Sequence, residues 1–295
     1  VKHKNRDIRD IASLTGEDVA RLNFIIDSDK YCFRKHYRQG MRSHVMEVLL
    51  TQDLHRETSG EIVDGMRIYP RAIPRYMLRI LRTRFTALEE ALEEIKTYSL
   101  VVEFMGAEFI AVSNEFVVEY TGTGQSEIVL CGLQEYVHGA ILDPWGLAGN
   151  APLEVFFQTR MSGERPDARR MTKGAESIAV FVERMRKMIN ESGYIPDLAG
   201  NGNLIMTRYG GIKLVDINNI LRVTENGTIL LDDKGYPSCD KSIEVLWILE
   251  HEILKKTNLS DDPLYRYFLS EDRLERVRSI EHEFFESLRS SASYH

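Results

Sequence analysis

Cysteine is scarce in this chain: three in 295 residues, at Cys32, Cys131 and Cys239, with no CxxC pair among them. That argues against a disulfide scaffold and against a cysteine-built zinc site, and buried reduced thiols are expected instead. Long apolar runs are missing too, since none approaches the ~18 residues needed to span a bilayer. Basic residues do not dominate. Lys and Arg number 38 against 45 Asp and Glu, a formal charge of −7, which argues against a general nucleic-acid binder while leaving room for a local basic patch. The opening "VKHKNRDIRDIA" has no apolar segment of the signal-peptide kind, so a cytoplasmic protein is expected. There is no internal repeat and no low-complexity tract. What is present, 43% hydrophobic and 28% charged residues, is the composition of an ordinary globular protein. A chain of this length buries roughly 75% of its unfolded surface, as one large domain or as two lobes.

Along the chain, "ARLNFIID" and "KYCFRKHYR" read as strands around a turn at Ser28-Asp29. Residues 41–54 suggest a short helix, a polar loop with Gly60 and Gly65 follows, and "IPRYMLRILRTRF" reads as a second helix with proline in its first turn. The apolar positions 88, 91, 92, 95 and 98 predict a helix. "EFIAVS", "EFVVEY" and "EIVLCGLQEYV" are strand-like, the last two joined by a hairpin loop at "TGTGQS". After residue 139 the character changes. Apolar residues at 178, 181, 182, 185, 188 and 189 predict an amphipathic helix that stops near Gly193. "ILRVTENGTILLDD" suggests a hairpin with an Asn-Gly turn, and two helices close the chain.

The segment "YIPDLAGNGNLIMTRYGGIKLVDINN" places Asp197, Asn203 and Asp216 at the ends of short apolar strands. Asp and Asn are poor strand formers. They are common turn formers, so capping turns is the plain reading of all three. Holding a cation is the other.

Taken in order, helix, "PDLAGNGNL", "LIMT", "RYGG", "IKLV" and Asp216, the pattern resembles the protein-kinase-like superfamily, which includes protein kinases and the aminoglycoside/choline kinase-type small-molecule kinases. There, a helix leads into a catalytic loop with Asp and Asn, then a β-hairpin, then a metal-binding Asp. The resemblance runs through nearly the whole chain. It implies that Asp197 orients or deprotonates an acceptor hydroxyl, and that Asn203 and Asp216 hold Mg²⁺ beside ATP. "KYCFRKHYR" resembles the family's third strand, with Lys35 as the phosphate-binding lysine, and Arg34 competes with it for the inward face. A helix glutamate would pair with that lysine, and Glu94 is selected over Glu47, Glu90 and Glu93. "LQEYVHG" resembles the hinge, so the carbonyl of Glu135 and the N–H of Val137 would meet adenine, with Leu204 on the floor of the site. "CDKSIEVLW" resembles the central helix of the family's second lobe, with Asp240 as a buried structural acid or a plain N-cap.

The sequence also departs from the family pattern. Tyr194-Ile195-Pro196 stands where the usual histidine would be. The loop carries one extra residue unless Asn201 takes the metal role. Asp-Phe-Gly becomes Asp216-Ile217-Asn218, and the glycine-rich loop is reduced to Gly16. No Ala-Pro-Glu motif follows. These features favour an atypical or small-molecule kinase.

The stretch Arg67 to Arg84 holds six arginines (67, 71, 75, 79, 82, 84) with no acid between 65 and 88. Arg75, Arg79 and Arg82 are spaced as one helical face. They suit an anionic partner, or form a solvated stripe answered by the downstream "EEALEE". The resulting expectation is an α+β, bilobal kinase-like fold. Its mixed αβ N-lobe spans residues 1–138, with a helical insertion at about 41–86, and a reduced, mainly helical C-lobe spans 139–295. The activity expected is ATP/Mg²⁺-dependent transfer of phosphate to a hydroxyl of a small molecule or glycoconjugate. A pseudokinase that binds nucleotide or a regulatory partner is the alternative, and an α+β domain with only an accidental likeness is a third reading.

Overall fold

The computed structural model describes residues 7–26, 29–37, 42–147, 152–162, 168–217 and 219–292. The fold is mixed α+β with antiparallel sheets. It divides into two compact units, one of residues 1–96 and 112–136, the other of 97–111 and 137–295.

The first unit is built on a five-stranded sheet of β1 (Tyr31–Lys35), β2 (Ser43–Leu50), β5 (Tyr76–Leu81), β7 (Glu127–Glu135) and β6 (Ser113–Tyr120), in that spatial order and antiparallel throughout. Between β2 and β5 the chain forms α2 (Thr51–Ser59) and a separate two-stranded hairpin, β3 (Glu61–Val63) and β4 (Met66–Ile68). Side chains alternate across the sheet. Met46, Val48, Leu78, Ile80, Val129 and Cys131 share one face, and it is covered by Ile8, Leu14, Val19 and Leu22 from the N-terminal segment, which includes α1 (Gly16–Ala20). The opposite face is also largely buried and mixes polar with apolar side chains, Glu47, Arg79 and Gln134 lying there with Leu49, Met77 and Leu81.

Several expectations need correction here. Residues 41–86 are not a helical insertion, because β2 and β5 are central strands of the sheet. Both are buried on both sides, and that erases the alternation which marks a half-buried strand. The described part of "ARLNFIID", residues 20–26, is not a strand: Ala20 ends α1, whose Thr15 and Asp18 form a capping box, and the rest follows it. The Ser28-Asp29 turn lies partly outside the described residues. Arg75, Arg79 and Arg82 do not form a helix face either, since Arg79 lies inside β5. The acids that answer the arginines are mostly not those of "EEALEE". Arg79 pairs with Glu115, and Arg84 reaches Asp10 at 2.7 Å and Asp7 at 3.1 Å.

Helix α3 (Leu88–Met105) forms as its periodicity predicts, and its last turns, from residue 97, belong to the second unit. That unit contains β8 (Gly139–Ile141), α4 (Pro152–Phe157), α5 (Ala168–Ser192), β9 (Tyr194–Pro196), β10 (Leu204–Thr207), β11 (Ile212–Leu214), β12 (Ile220–Arg222), α6 (Ser238–Ile248), α7 (Pro263–Phe268) and α8 (Glu271–Ala292). Helix α5 buries Ile178, Phe181, Val182, Met185, Met188 and Ile189, the stripe read from its sequence. These pack with Leu204, Met206, Ile212 and Leu214 of the β10–β11 hairpin and with Ile243, Leu246 and Leu249. "ILRVTENGTILLDD" is not a hairpin, because β12 pairs back with β9. The Asn-Gly turn is held instead by a bond from the Gly227 N–H to the Tyr267 hydroxyl, 2.6 Å. No helix among the described residues is long and apolar enough to cross a membrane.

Candidate functional site

Asp197, Asn203 and Asp216 lie in the second unit: the first two on the loop between β9 and β10, the third just after β11. Helix α5 ends at Gly193 with φ 72°, a left-handed conformation that glycine adopts without strain. The chain then enters β9, whose pairing with β12 fixes where Asp197 emerges. The Asp197 N–H donates to the Asn219 carbonyl at 2.8 Å. The next residue's N–H, from Leu198, donates to Ser242 Oγ of α6 at 3.0 Å. The loop is thus tied at its start both to Asn219, the residue before β12, and to the core helix.

The Asp197 carboxylate closes an Asx turn. Its Oδ1 accepts from the N–H of Ala199 at 2.9 Å and of Gly200 at 3.2 Å, and its Oδ2 accepts from Asn219 Nδ2 at 3.2 Å. Asn203, which is buried, donates Nδ2 to the Asp197 carbonyl at 2.9 Å, which commits its nitrogen and leaves Oδ1 as the oxygen it presents. A Cβ at Gly200 would lie 2.4 Å from Asn203 Nδ2, so the loop closes only with glycine there. Val215 donates its N–H to the Asn203 carbonyl at 2.8 Å and so holds Asp216 beside the loop. Burial pushes the Asp197 carboxyl up to about 6, and the neighbouring negative charge of Asp216 adds to the effect, against the lowering influence of its hydrogen bonds.

The cluster therefore offers two carboxylates, one of them holding its proton to near-neutral pH, and an oriented amide oxygen. Among the described residues there is no group of three or more His, Cys, Asp or Glu side chains that could hold a metal. Mg²⁺ does not require one, because it binds through one or two carboxylates, substrate phosphates and retained waters. The oxygens of Asp216 and Asn203 fit that donor set, and a cation there would relieve the repulsion between Asp197 and Asp216.

Leu204 lies in the core of the second unit. Val137 is half-buried at the start of that unit's longer segment. Glu135 ends β7 in the first unit, where its N–H donates to the Val112 carbonyl at 2.9 Å and its carboxylate accepts from the Val112 N–H at 3.3 Å. Glu94 is exposed on α3. Lys35 ends β1, the first strand of the sheet in chain order, and donates to Ser13 Oγ at 2.7 Å on the face that Phe33 shares. Arg34 points to the opposite face and pairs with Glu47 at 2.7 Å and Glu57 at 2.9 Å. The third strand is β5, and the charged side chain within it is Arg79.

Arg79 is buried. Its Nη2 bonds Glu115 and, at 3.1 Å, Ser113 Oγ, while Nε and Nη1 have no protein partner. Buried donors left in this way call for a water or an anion. Gly16 is not part of a phosphate loop. It opens α1, and a Cβ there would fall 1.8 Å from the Phe33 carbonyl oxygen. Asp240 is the third residue of α6 and not its N-cap. It pairs with Arg273 of α8, Nε to Oδ1 at 2.5 Å and Nη2 to Oδ2 at 3.1 Å, while Ser242, two residues on, holds the loop.

Two residues that hold the Asp197 loop escaped the sequence reading: Asn219 was signalled only by its place in "DINN", and Ser242 only by being a hydroxyl in an apolar helix. In the first unit, Arg79 was read as part of a helical arginine stripe and not as a strand residue. No protein-family model and no curated protein matches this chain.

Proposed function

We propose that the chain is a kinase-like phosphotransferase that uses ATP and Mg²⁺ to phosphorylate a hydroxyl of a small molecule or glycoconjugate. The observation that carries this reading is the convergence, around the β10–β11 hairpin that follows α5, of the loop bearing Asp197 and Asn203 with Asp216 just after β11. Asp197 has a carboxyl raised to about 6, a value that suits a group accepting or orienting the proton of an attacking hydroxyl near neutral pH. Asn203 Oδ1 and the Asp216 carboxylate would hold Mg²⁺, which when bound neutralises charge on the phosphates. Asn219 and Ser242 act by positioning, since they fix the backbone and carboxylate of Asp197. In the first unit the reading asks for a cation on the third strand. Arg79 meets that requirement better than Lys35, because it stands on that strand, is oriented by Glu115, and keeps two donors without a protein partner.

A nucleotide-binding module without turnover is the second reading. The specific observation in its favour is that both oxygens of Asp197 already accept hydrogen bonds from within the protein. Asp197→Asn separates the two. Mg²⁺-ATP affinity, read by calorimetry, should stay close to that of the wild type, while ATP turnover should fall by on the order of 10²–10⁴, the usual worth of a positioned base. Binding without turnover in the wild type itself would establish the second reading. Turnover unchanged in the variant would remove Asp197 from the chemistry.

A further inference from the structure

The hairpin β3–β4 is a two-stranded sheet outside the main sheet of the first unit. Its turn is Asp64-Gly65, with φ 51° and 77°, the geometry that Asp-Gly favours in two-residue hairpin loops. Its apolar side chains are not buried. Ile62 is 68% exposed and Met66 67%, Val63 and Ile68 are also exposed, and Tyr69, Ile73 and Tyr76 continue the series toward β5. The exposure is two-sided: the register pairs Val63 with Met66, whereas Ile62 stands opposite Arg67 on the other face. Basic residues outnumber acids nearby, although Asp64 stands at the turn and Arg75 lies 4.0 Å from Asp53. Arg67, Arg71 and Arg75 are exposed, and the neighbouring acid Glu61 is taken up by Arg56 at 2.6 Å.

We infer that this hairpin and the segment that follows it bind an anionic phospholipid surface. A protein partner covering the face of Val63, Met66 and Ile68 would leave Ile62 on the other face in water, whereas the headgroup–acyl boundary accepts both. Tyrosines with one polar end suit the interface, and arginines near the surface are drawn to anionic headgroups over about a Debye length. Asp64 at the turn opposes entry, so the inference also fixes the sign of its effect. None of this depends on the phosphotransferase reading.

The test is flotation of the full chain with vesicles of phosphatidylcholine alone and of a two-to-one mixture with phosphatidylglycerol, at low and high salt. Binding is expected only to the anionic vesicles, and it should weaken with salt. Replacing all three arginines by glutamine (R67Q/R71Q/R75Q) should weaken it by roughly a hundredfold. Ile62→Ser with Met66→Ser should abolish it, and Asp64→Asn should strengthen it. Since all these side chains are exposed, unchanged circular dichroism would show that the fold is kept. No binding to either vesicle, equal binding to both, or anionic binding that survives both sets of substitutions would overturn the inference. So would a concentration-dependent dimer in sedimentation velocity that the Ile62→Ser/Met66→Ser variant dissolves, which would assign the hairpin to self-association.

Discussion

Replacing Asp197 by asparagine should make the second unit more stable at neutral pH and slightly less stable in acid. The wild-type carboxyl is raised from its ordinary 3.8 to about 6 by burial first and by Asp216 second. The folded state therefore holds this proton more tightly than the unfolded chain does. The stabilisation is fully present below about pH 4 and is lost as the pH rises through about 6. At 1.36 kcal/mol for each tenfold change in proton affinity, the loss is about 3 kcal/mol. Asparagine cannot ionise and avoids this loss. Its Oδ1 can still accept from Ala199 and Gly200, but its amide meets that of Asn219, so one hydrogen bond worth about 1 kcal/mol goes. The net expectation near pH 7 is a gain of about 2 kcal/mol, reversing to a loss of about 1 kcal/mol near pH 4. Urea denaturation of both proteins at steps from about pH 4 to about pH 7 reads the difference directly. Parallel stability curves across that range, or a variant weaker at every pH, would refute the burial-and-repulsion account of Asp197.

Gly16→Ala should destabilise the first unit by about 1–3 kcal/mol, because the new methyl meets the backbone of β1 at Phe33. Thermal unfolding checks this, and an unchanged midpoint would show that α1 does not seat as described. Arg273→Ala should cost about 3–5 kcal/mol by leaving Asp240 buried without its partner, whereas the double variant with Asp240→Leu should recover most of that loss in the same denaturation experiment. Ser242→Ala strands the Leu198 N–H and should cost about 1–3 kcal/mol. If Asp197 is catalytic, turnover in this variant should fall while Mg²⁺-ATP affinity stays the same.

Much of the second unit was legible from periodicity. The stripe on α5 and the alternation of "LIMT" and "IKLV" each report a single buried face, which local spacing encodes. The first unit was harder to read because β2 and β5 are buried on both sides. "VMEVLL" and "YMLRIL" contain residues that suit helix and strand alike, and pairing with neighbouring strands decided the outcome. Pro74 looked like a helix start, yet it leads into a strand. Lys35 and Arg79 show the consequence for the candidate site: once β5 is misread, the third strand is sought in the wrong place. Asn219 and Ser242 were missed for another reason. Their bonds to the Asp197 loop cross 22 and 44 residues of sequence, and nothing local marks them.

The central claim is that Asn203 and Asp216 form a metal–nucleotide site. A thermal-shift titration with ATP, with and without Mg²⁺, on the wild type and on Asp216→Asn tests it most directly. Saturation at a hundred times the dissociation constant adds about 2.7 kcal/mol to the folded state, a rise of several degrees in the midpoint for a protein of this size. A rise that requires Mg²⁺ and disappears in Asp216→Asn is the predicted result. No rise with ATP, or one equal in both proteins and indifferent to Mg²⁺, would contradict it and leave the three polar residues as turn caps.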